Sequence, residues 1–337
     1  MKLEPVPSCP ICGSNGTIAL EGCRDFLFDG PETWVYRRCL QCATLWLDPR
    51  PTREMIPSLY QAGYCTHSEH AATPTRQYGF RASLKLAILE RVYGYTGLSD
   101  HASSRLGAFL GKSFSFVPRL SSRAGFNVRH LVSRPQGSLL DVGAGNGEFL
   151  RLMRELGWQA VGIEPDPSAA RIAASIGLEV ICCSVEDALL EPCAYDAVTL
   201  HHVLEHLCEP KTTLQKLARS LKPGGVLVSI SPNPVGVMAH WFHHAWRGLE
   251  PPRHLVLPSP DGYRRLFESL GLRAQVRTTM RNAFWMYRDS VSIKHGGRVG
   301  LYQKRFLPKI FSSVGSNIIL PLFRNSGEEV ICIATKD

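Results

Sequence analysis

The stretch Ser138–Leu150, SLLDVGAGNGEFL, constrains this chain more than any other. Leu139 and Leu140 lead to Asp141, Gly143, Gly145 and Gly147 then alternate, and Glu148 to Met153 reads as the opening of a helix. A strand, a glycine turn and a helix in that order form the nucleotide-cradling unit of doubly wound α/β folds, where backbone must approach a ligand closely. The spacing narrows the ligand. A dinucleotide fingerprint would want glycine or alanine at position 148, and this chain has Glu148. A carboxylate at a helix start repels a pyrophosphate but not a cationic nucleoside, and Asp141 is placed to hold an ammonium nearby.

Further elements follow in order. Strand-like Ala160–Ile163 ends at Glu164, an acid at a strand tip suited to accept both hydroxyls of a ribose. Val180–Cys183 and Tyr195–Leu200 read as the third and fourth strands, the first followed by Ser184 and Val185, the second by His201 and His202. Leu221–Gly225 reads as a helix-ending turn into a fifth strand, Val226–Ile230. With these residues in hand, the chain resembles the class I S-adenosylmethionine-dependent methyltransferases, in the group that includes the ubiquinone-biosynthesis and sugar methyltransferases. The resemblance covers roughly residues 136–280 and 327–336. It implies an α/β, Rossmann-like, doubly wound seven-stranded sheet, with Arg273–Thr279 as sixth strand and Glu328–Thr335 as an antiparallel seventh beside the fifth. It implies S-adenosylmethionine as cofactor, held by Asp141, Gly143, Ala144, Gly145, Gly147, Glu164, Pro165, Ser184, Val185 and His201. Glu148 and the later elements argue against a nicotinamide cofactor.

Two C-x-x-C knuckles, Cys9/Cys12 and Cys39/Cys42, stand twenty-six residues apart near the start. Four thiolates satisfy tetrahedral Zn²⁺, and the strand-like Thr17–Leu20 and Trp34–Arg38 between them fit a zinc ribbon. Four sulfur ligands leave no open position, so the expected metal role is structural. The other seven cysteines lack metal spacing. The ribbon resembles the amino-terminal module of sugar C-methyltransferases. The expected organisation is a ribbon-like module at 1–54, a helical cap or linker at 55–135, and a methyltransferase core at 136–337 with a helical insertion at about 281–326.

The net charge of +9 is unevenly placed. Residues 76–134 carry ten Lys/Arg against two acids and 264–325 carry twelve against two, whereas 138–263 carries nine bases against fourteen acids. Basic segments outside the cofactor scaffold suit an anionic acceptor or an anionic membrane surface. Gly79–Tyr95 reads as an amphipathic helix with a basic face, and Leu301–Phe323 repeats that character. The start of the chain has no apolar signal region, so a cytoplasmic protein, with peripheral contact at the inner membrane face, is the expectation.

Methyl transfer to a hydroxyl needs an acceptor held in line and a base for its proton. A helix over Val203–Cys208 would put His202, Glu205 and His206 on one face, and the resemblance of Leu204-Glu205-His206 to the family's Glu-His signature makes Glu205 and His206 an acid/base pair. In Trp246–Leu255, Arg253 is suited to grip a phosphate or carboxylate, and His254 to act as base or orienting donor. His240, His243 and His244, around Trp241 and Phe242, suit a pocket edge or lid. Tyr60, Tyr64 and the cap are expected to close over the cofactor. The expected function is methyl transfer to a small-molecule hydroxyl: a glycan precursor, nucleotide-sugar or quinone-like compound. The alternative is a ribbon-bearing RNA methyltransferase or nucleic-acid-binding protein. Against it, the basic segments carry no RNA-binding motif.

Overall fold

A computed structural model describes residues 1–28, 30–60, 79–98, 103–297 and 325–337. The chain divides into two compact units, Met1–Tyr64 with Leu200–Asp337, and Cys65–Thr199. Residues 1–54 therefore share a unit with the carboxy-terminal half instead of standing apart.

In the first unit, β1 (Leu3–Glu4), β2 (Gly16–Arg24), β3 (Thr33–Cys39), β4 (Leu45–Leu47) and β5 (Arg50–Pro51) occupy the amino-terminal segment. The β2–β3 hairpin is antiparallel, pairing Gly16 with Cys39, and β4 extends it on the other side of β3. Gly16 is required there: a Cβ would meet the Trp46 ring at 2.3 Å. Alternation along β3 buries Trp34 and Tyr36 on one face, and Cys39, buried at the strand's end, breaks the pattern.

In the second unit, α1 (Phe80–Tyr93) realises the helix expected at 79–95, burying Ala87, Ile88, Leu89 and Tyr93. It stops at Gly94, which takes a left-handed conformation. α2 (Arg105–Ser113) lies close along α1, because Gly107 and Gly111 sit where a Cβ would strike Phe80 O at 2.6 Å and Leu84 O at 2.5 Å. Leu106 and Phe109 remain exposed on α2. After α3 (Pro118–Gly125) come β6 (Ser138–Val142), α4 (Glu148–Glu155), β7 (Gln159–Ile163), α5 (Pro167–Ser175) and β8 (Glu179–Ile181), with β6, β7 and β8 paired in parallel. Parallel strands joined by helices are buried on both faces, which accounts for the apolar runs in β6 and β7.

β9 (Tyr195–His201) leads to α6 (Pro210–Ser220), β10 (Leu221–Pro232), α7 (Val237–Phe242), β11 (Val256–Leu257), α8 (Pro260–Glu268), β12 (Leu272–Thr279), α9 (Ala283–Lys294) and β13 (Glu329–Lys336). The seven-stranded sheet runs β12-β13-β10-β9-β6-β7-β8, with β13 antiparallel to both β10 and β12. This is the α/β sheet expected from the sequence, including the inserted antiparallel strand. β11 pairs with β4, so the amino-terminal sheet has the order β11-β4-β3-β2. One apolar cluster joins the two halves of the first unit, bringing Trp34, Tyr36, Leu45 and Leu47 against Trp246, Leu249, Leu255 and Leu257.

Two local expectations are corrected. Residues 221–225 already belong to β10, where Gly224 absorbs a left-handed step, instead of forming a separate turn. Residues 203–208 form a single 3₁₀ turn, Leu204–His206, and the next helix waits for Pro210. Of the late insertion, α9 is described, and 298–324, which includes the segment Leu301–Phe323, lies outside the described residues. No helix among the described residues is long and apolar enough to cross a membrane.

Candidate functional site

The glycine turn between β6 and α4 is built on left-handed backbone at Gly145 (φ +55°) and Gly147 (φ +83°). A Cβ at Gly147 would meet Leu178 Cδ1 at 2.4 Å, whereas at Gly145 it would meet nothing, leaving open space over the turn. Glu164, at the end of β7, is buried, and its Oε2 accepts the Gly145 N–H at 2.8 Å while Oε1 accepts the Asp166 N–H at 2.9 Å. Burial pushes its carboxyl up, against those two amide bonds. The structure thus brings Glu164 onto the glycine turn, as a cradle for a nucleoside requires. Each carboxylate oxygen keeps a further lone pair for a ribose hydroxyl.

Asp141 is placed otherwise than the sequence suggested. Its side chain is fully buried and takes the guanidinium of Arg129 and the Thr199 hydroxyl, at 2.8 Å from Thr199, so the cation beside it is internal. Arg129 also lies over the Phe149 ring at 3.7 Å. Ala144 and Val185 are buried, Ser184 is half-buried with Oγ accepting Glu186 N–H at 3.2 Å, and Pro165 is exposed.

The acid/base residues lie in the other unit. His202 Nδ1 is 3.0 Å from Glu205 Oε1 and its Nε2 is 3.0 Å from Glu329 Oε1. Both nitrogens donate, so the ring is an imidazolium: burial opposes the charge, but the two carboxylate bonds outweigh it and raise the pKa to about 10. Glu205 is wholly buried, yet the His202 bond holds its carboxyl below the ordinary range. Asn282 donates to the same Glu329 oxygen at 2.8 Å. His201 stacks edge-on against His202 with centroids 4.6 Å apart.

His206 and His254 form a second pair, with ring centroids 4.7 Å apart, and Glu205 joins them within 4.8 Å. His206 Nδ1 lies 3.1 Å from Arg253 O and 2.9 Å from the Tyr60 hydroxyl. A carbonyl oxygen only accepts, so this nitrogen carries the proton and Nε2 keeps its lone pair. His254 Nδ1 donates to Gly248 O at 2.8 Å by the same logic. Burial lowers both rings, His254 to about 4, so both are neutral at physiological pH. Glu205 meets His202, which precedes the turn in a left-handed conformation (φ +55°), while His206 faces His254 and Tyr60. Tyr64 lies outside the described residues.

Residues 114–275 match a family described as a methyltransferase domain. The chain carries a methyltransferase domain. A ubiquinone biosynthesis O-methyltransferase of Xanthomonas campestris pv. campestris is 36% identical over 103 residues, spanning 28% of this chain and 43% of that protein. The similarly named protein of Nitrobacter winogradskyi is 31% identical over 162 residues, or 43% of this chain and 60% of that one. The chain therefore matches these curated relatives over less than two thirds of their length. Among solved structures, an S-adenosylmethionine-dependent methyltransferase from Archaeoglobus fulgidus aligns with a TM-score of 0.45 and 18% identity, covering 68% of this chain and 98% of that one.

Within the matched region, Arg253 does not have the anion-gripping arrangement expected from the sequence. It is 2% exposed, and its fork is filled by Asp25, with Nη1 and Nη2 at 2.8 and 2.6 Å, while Nε donates to Glu250 at 3.1 Å. Arg247 pairs with the second oxygen of Glu250. Asp25 lies 228 residues away from Arg253 in the chain, and no local signal could have announced it. Removing the cation leaves the buried Asp25 without its counter-ion and Glu250 with Arg247 as its remaining guanidinium. Arg253→Ala should therefore destabilise the protein by about 3–5 kcal/mol in urea unfolding, with partial recovery in Arg253→Lys. A loss within about 0.5 kcal/mol, typical of an exposed site, would contradict the assignment.

The four knuckle thiols converge at one end of the amino-terminal sheet. Cys9 and Cys42 Sγ are 3.8 Å apart, Cys12 and Cys39 3.4 Å, and Cys12 and Cys42 3.5 Å. Tetrahedral Zn²⁺ with bonds of about 2.3 Å places its sulfurs about 3.8 Å apart, so the set fits the ion. Hydrogen bonding with Cys9 lowers the Cys42 thiol, which favours the thiolate that a metal takes.

Proposed function

We propose that the protein transfers a methyl group from S-adenosylmethionine to a hydroxyl of a small acceptor: a glycan precursor, a nucleotide-sugar or a quinone-like compound. The observation that carries this reading is the Glu164 carboxylate seated on the Gly145 amide at the ends of two adjacent parallel strands. Relatives named as O-methyltransferases support oxygen as the acceptor atom. Zn²⁺ held by Cys9, Cys12, Cys39 and Cys42 is part of the same proposal and is structural, because four thiolates leave no open position.

Bound on the glycine turn, the cofactor supplies a sulfonium methyl. Glu164 accepts the ribose hydroxyls. His206 takes the acceptor's proton at Nε2, the nitrogen that its Nδ1 bond to Arg253 O leaves unprotonated. It is half-buried, whereas Glu205 and His254 are buried, which makes it the most accessible base of the three. Glu205 favours the imidazolium that forms, as a carboxylate beside a histidine does.

Incubation with methyl-labelled S-adenosylmethionine and a panel of hydroxylated sugar nucleotides, phenols and RNA tests the proposal. His206→Asn should lower kcat by about 10²–10⁴-fold, the usual contribution of a general base, with affinity for S-adenosylhomocysteine unchanged. Full activity in that variant would remove His206 from the role, and label entering RNA alone would favour the nucleic-acid reading.

A further inference from the structure

A cleft of about 500 Å³ opens in the first unit, lined by none of Glu205, His206, Arg253 and His254. Leu20, Leu45 and Trp246 give it apolar walls, and Arg38, His240 and His243 its polar ones. No carboxylate is among its described lining residues. The volume is that of an ordinary small-molecule site.

Arg38 is the decisive residue. Its guanidinium is half-buried, and its hydrogen bonds among the described residues are two long ones, Nη1 to Ala43 O and Nη2 to Pro234 O, both 3.4 Å. The three arginines that are buried among the described residues each have a carboxylate: Arg50 has Glu4, Arg129 has Asp141 and Arg253 has Asp25. Arg38 has none among the described residues. A second donor is also unused. The Trp246 indole N–H is buried with no acceptor among the described residues.

We propose that this cleft binds a small amphipathic oxyanion, a carboxylate or phosphate carried on an aliphatic or aromatic body. The oxyanion meets the planar fork of Arg38, and the body packs on Leu20, Leu45 and Trp246. His240 and His243, at the edge, add ring N–H donors. Of the histidine run that the sequence suited to a pocket edge or lid, His240 and His243 line this cleft. The site rests wholly on the first unit and stands whether or not the methyl-transfer reading does.

Calorimetric titration of the full-length, zinc-loaded protein without cofactor tests this, using phenyl phosphate and 4-phenylbutyrate against neutral 4-phenylbutanol and inorganic phosphate. Both amphipathic anions should bind, with the alcohol and inorganic phosphate each weaker by about tenfold or more. Arg38→Gln should weaken the anions by about tenfold and leave the alcohol unchanged. Should that variant fail to fold, Ala239→Phe, which fills the cleft from α7, should weaken both anions. A saturable shift of the Trp246 indole ¹⁵N–¹H resonance in the wild-type protein reads the site without any substitution. Equal binding of the alcohol, equal binding of inorganic phosphate, unchanged anion affinity in Arg38→Gln, or no binding of either anion would each overturn the proposal.

Discussion

Glu164→Ala should lose affinity for S-adenosylhomocysteine by about two orders of magnitude or more in calorimetric titration, because hydrogen bonds to a charged group contribute about 1.5–3 kcal/mol each and two ribose hydroxyls are at stake. The carboxylate has a second duty that adds to the effect. It accepts the Gly145 and Asp166 amides, so its removal strands two backbone donors and loosens the glycine turn itself. Glu164→Gln separates the two contributions. The amide keeps one acceptor oxygen and most of the shape, so its loss should be smaller than that of alanine. Melting curves show whether either variant still folds. A folded Glu164→Ala protein with wild-type affinity would end the cofactor assignment, because no other acid meets the described glycine turn so directly.

Removing one knuckle thiol should have the larger effect on stability. Structural zinc contributes apparent binding free energies of about 10–16 kcal/mol, and that free energy is folding free energy. Here the consequence extends beyond the knuckles. Tyr36, buried on β3, donates to Leu249 O at 2.7 Å and lies 2.9 Å from His254 O, and Ser259 on the approach to α8 bonds the Cys42 carbonyl. Cys12→Ser, or chelation of the wild-type protein, should therefore melt the amino-terminal sheet and also disturb the backbone that orients His254. Metal analysis should find one zinc per chain in the wild type and little in the variant, with a lower melting temperature in both the variant and the chelated protein. Zinc-free wild-type protein with an undiminished melting temperature would refute the metal assignment.

Both of these predictions come from motifs that are contiguous or nearly so. The glycine turn is legible because three alternating glycines behind a strand state a backbone requirement, and Gly145 and Gly147 do adopt the left-handed conformation that only glycine takes freely. The knuckles are legible because a two-residue spacer already places two sulfurs on one ion. Glu164 is legible by its position at the tip of the second strand. The sheet's topology, including the antiparallel seventh strand, was expected from the family resemblance that these motifs carry, although the sequence marked Leu221–Gly225 as a turn where β10 already runs.

The chemistry after the fourth strand was only half legible. Leu204-Glu205-His206 stands out in the sequence, but whether it makes a helix or a 3₁₀ turn depends on where the chain must go next, toward Pro210 and α6. The partners were not legible at all. Glu329, which clamps His202, lies 127 residues away, and the Arg129 that occupies Asp141 sits in a segment without a motif.

What the sequence determined by itself, then, is the fold class, the glycine turn and the paired cysteine knuckles, because each depends on backbone conformation or residue spacing over a few positions. Only the tertiary structure decided which charges meet. It made Arg253 an internal counter-ion for Asp25 and Glu250, made His202 a cation and His254 a neutral ring, and left Arg38 without a described carboxylate beside an open cleft. The physical reason is that protonation and pairing depend on burial and on neighbours contributed by distant strands, and a residue's type carries no record of either.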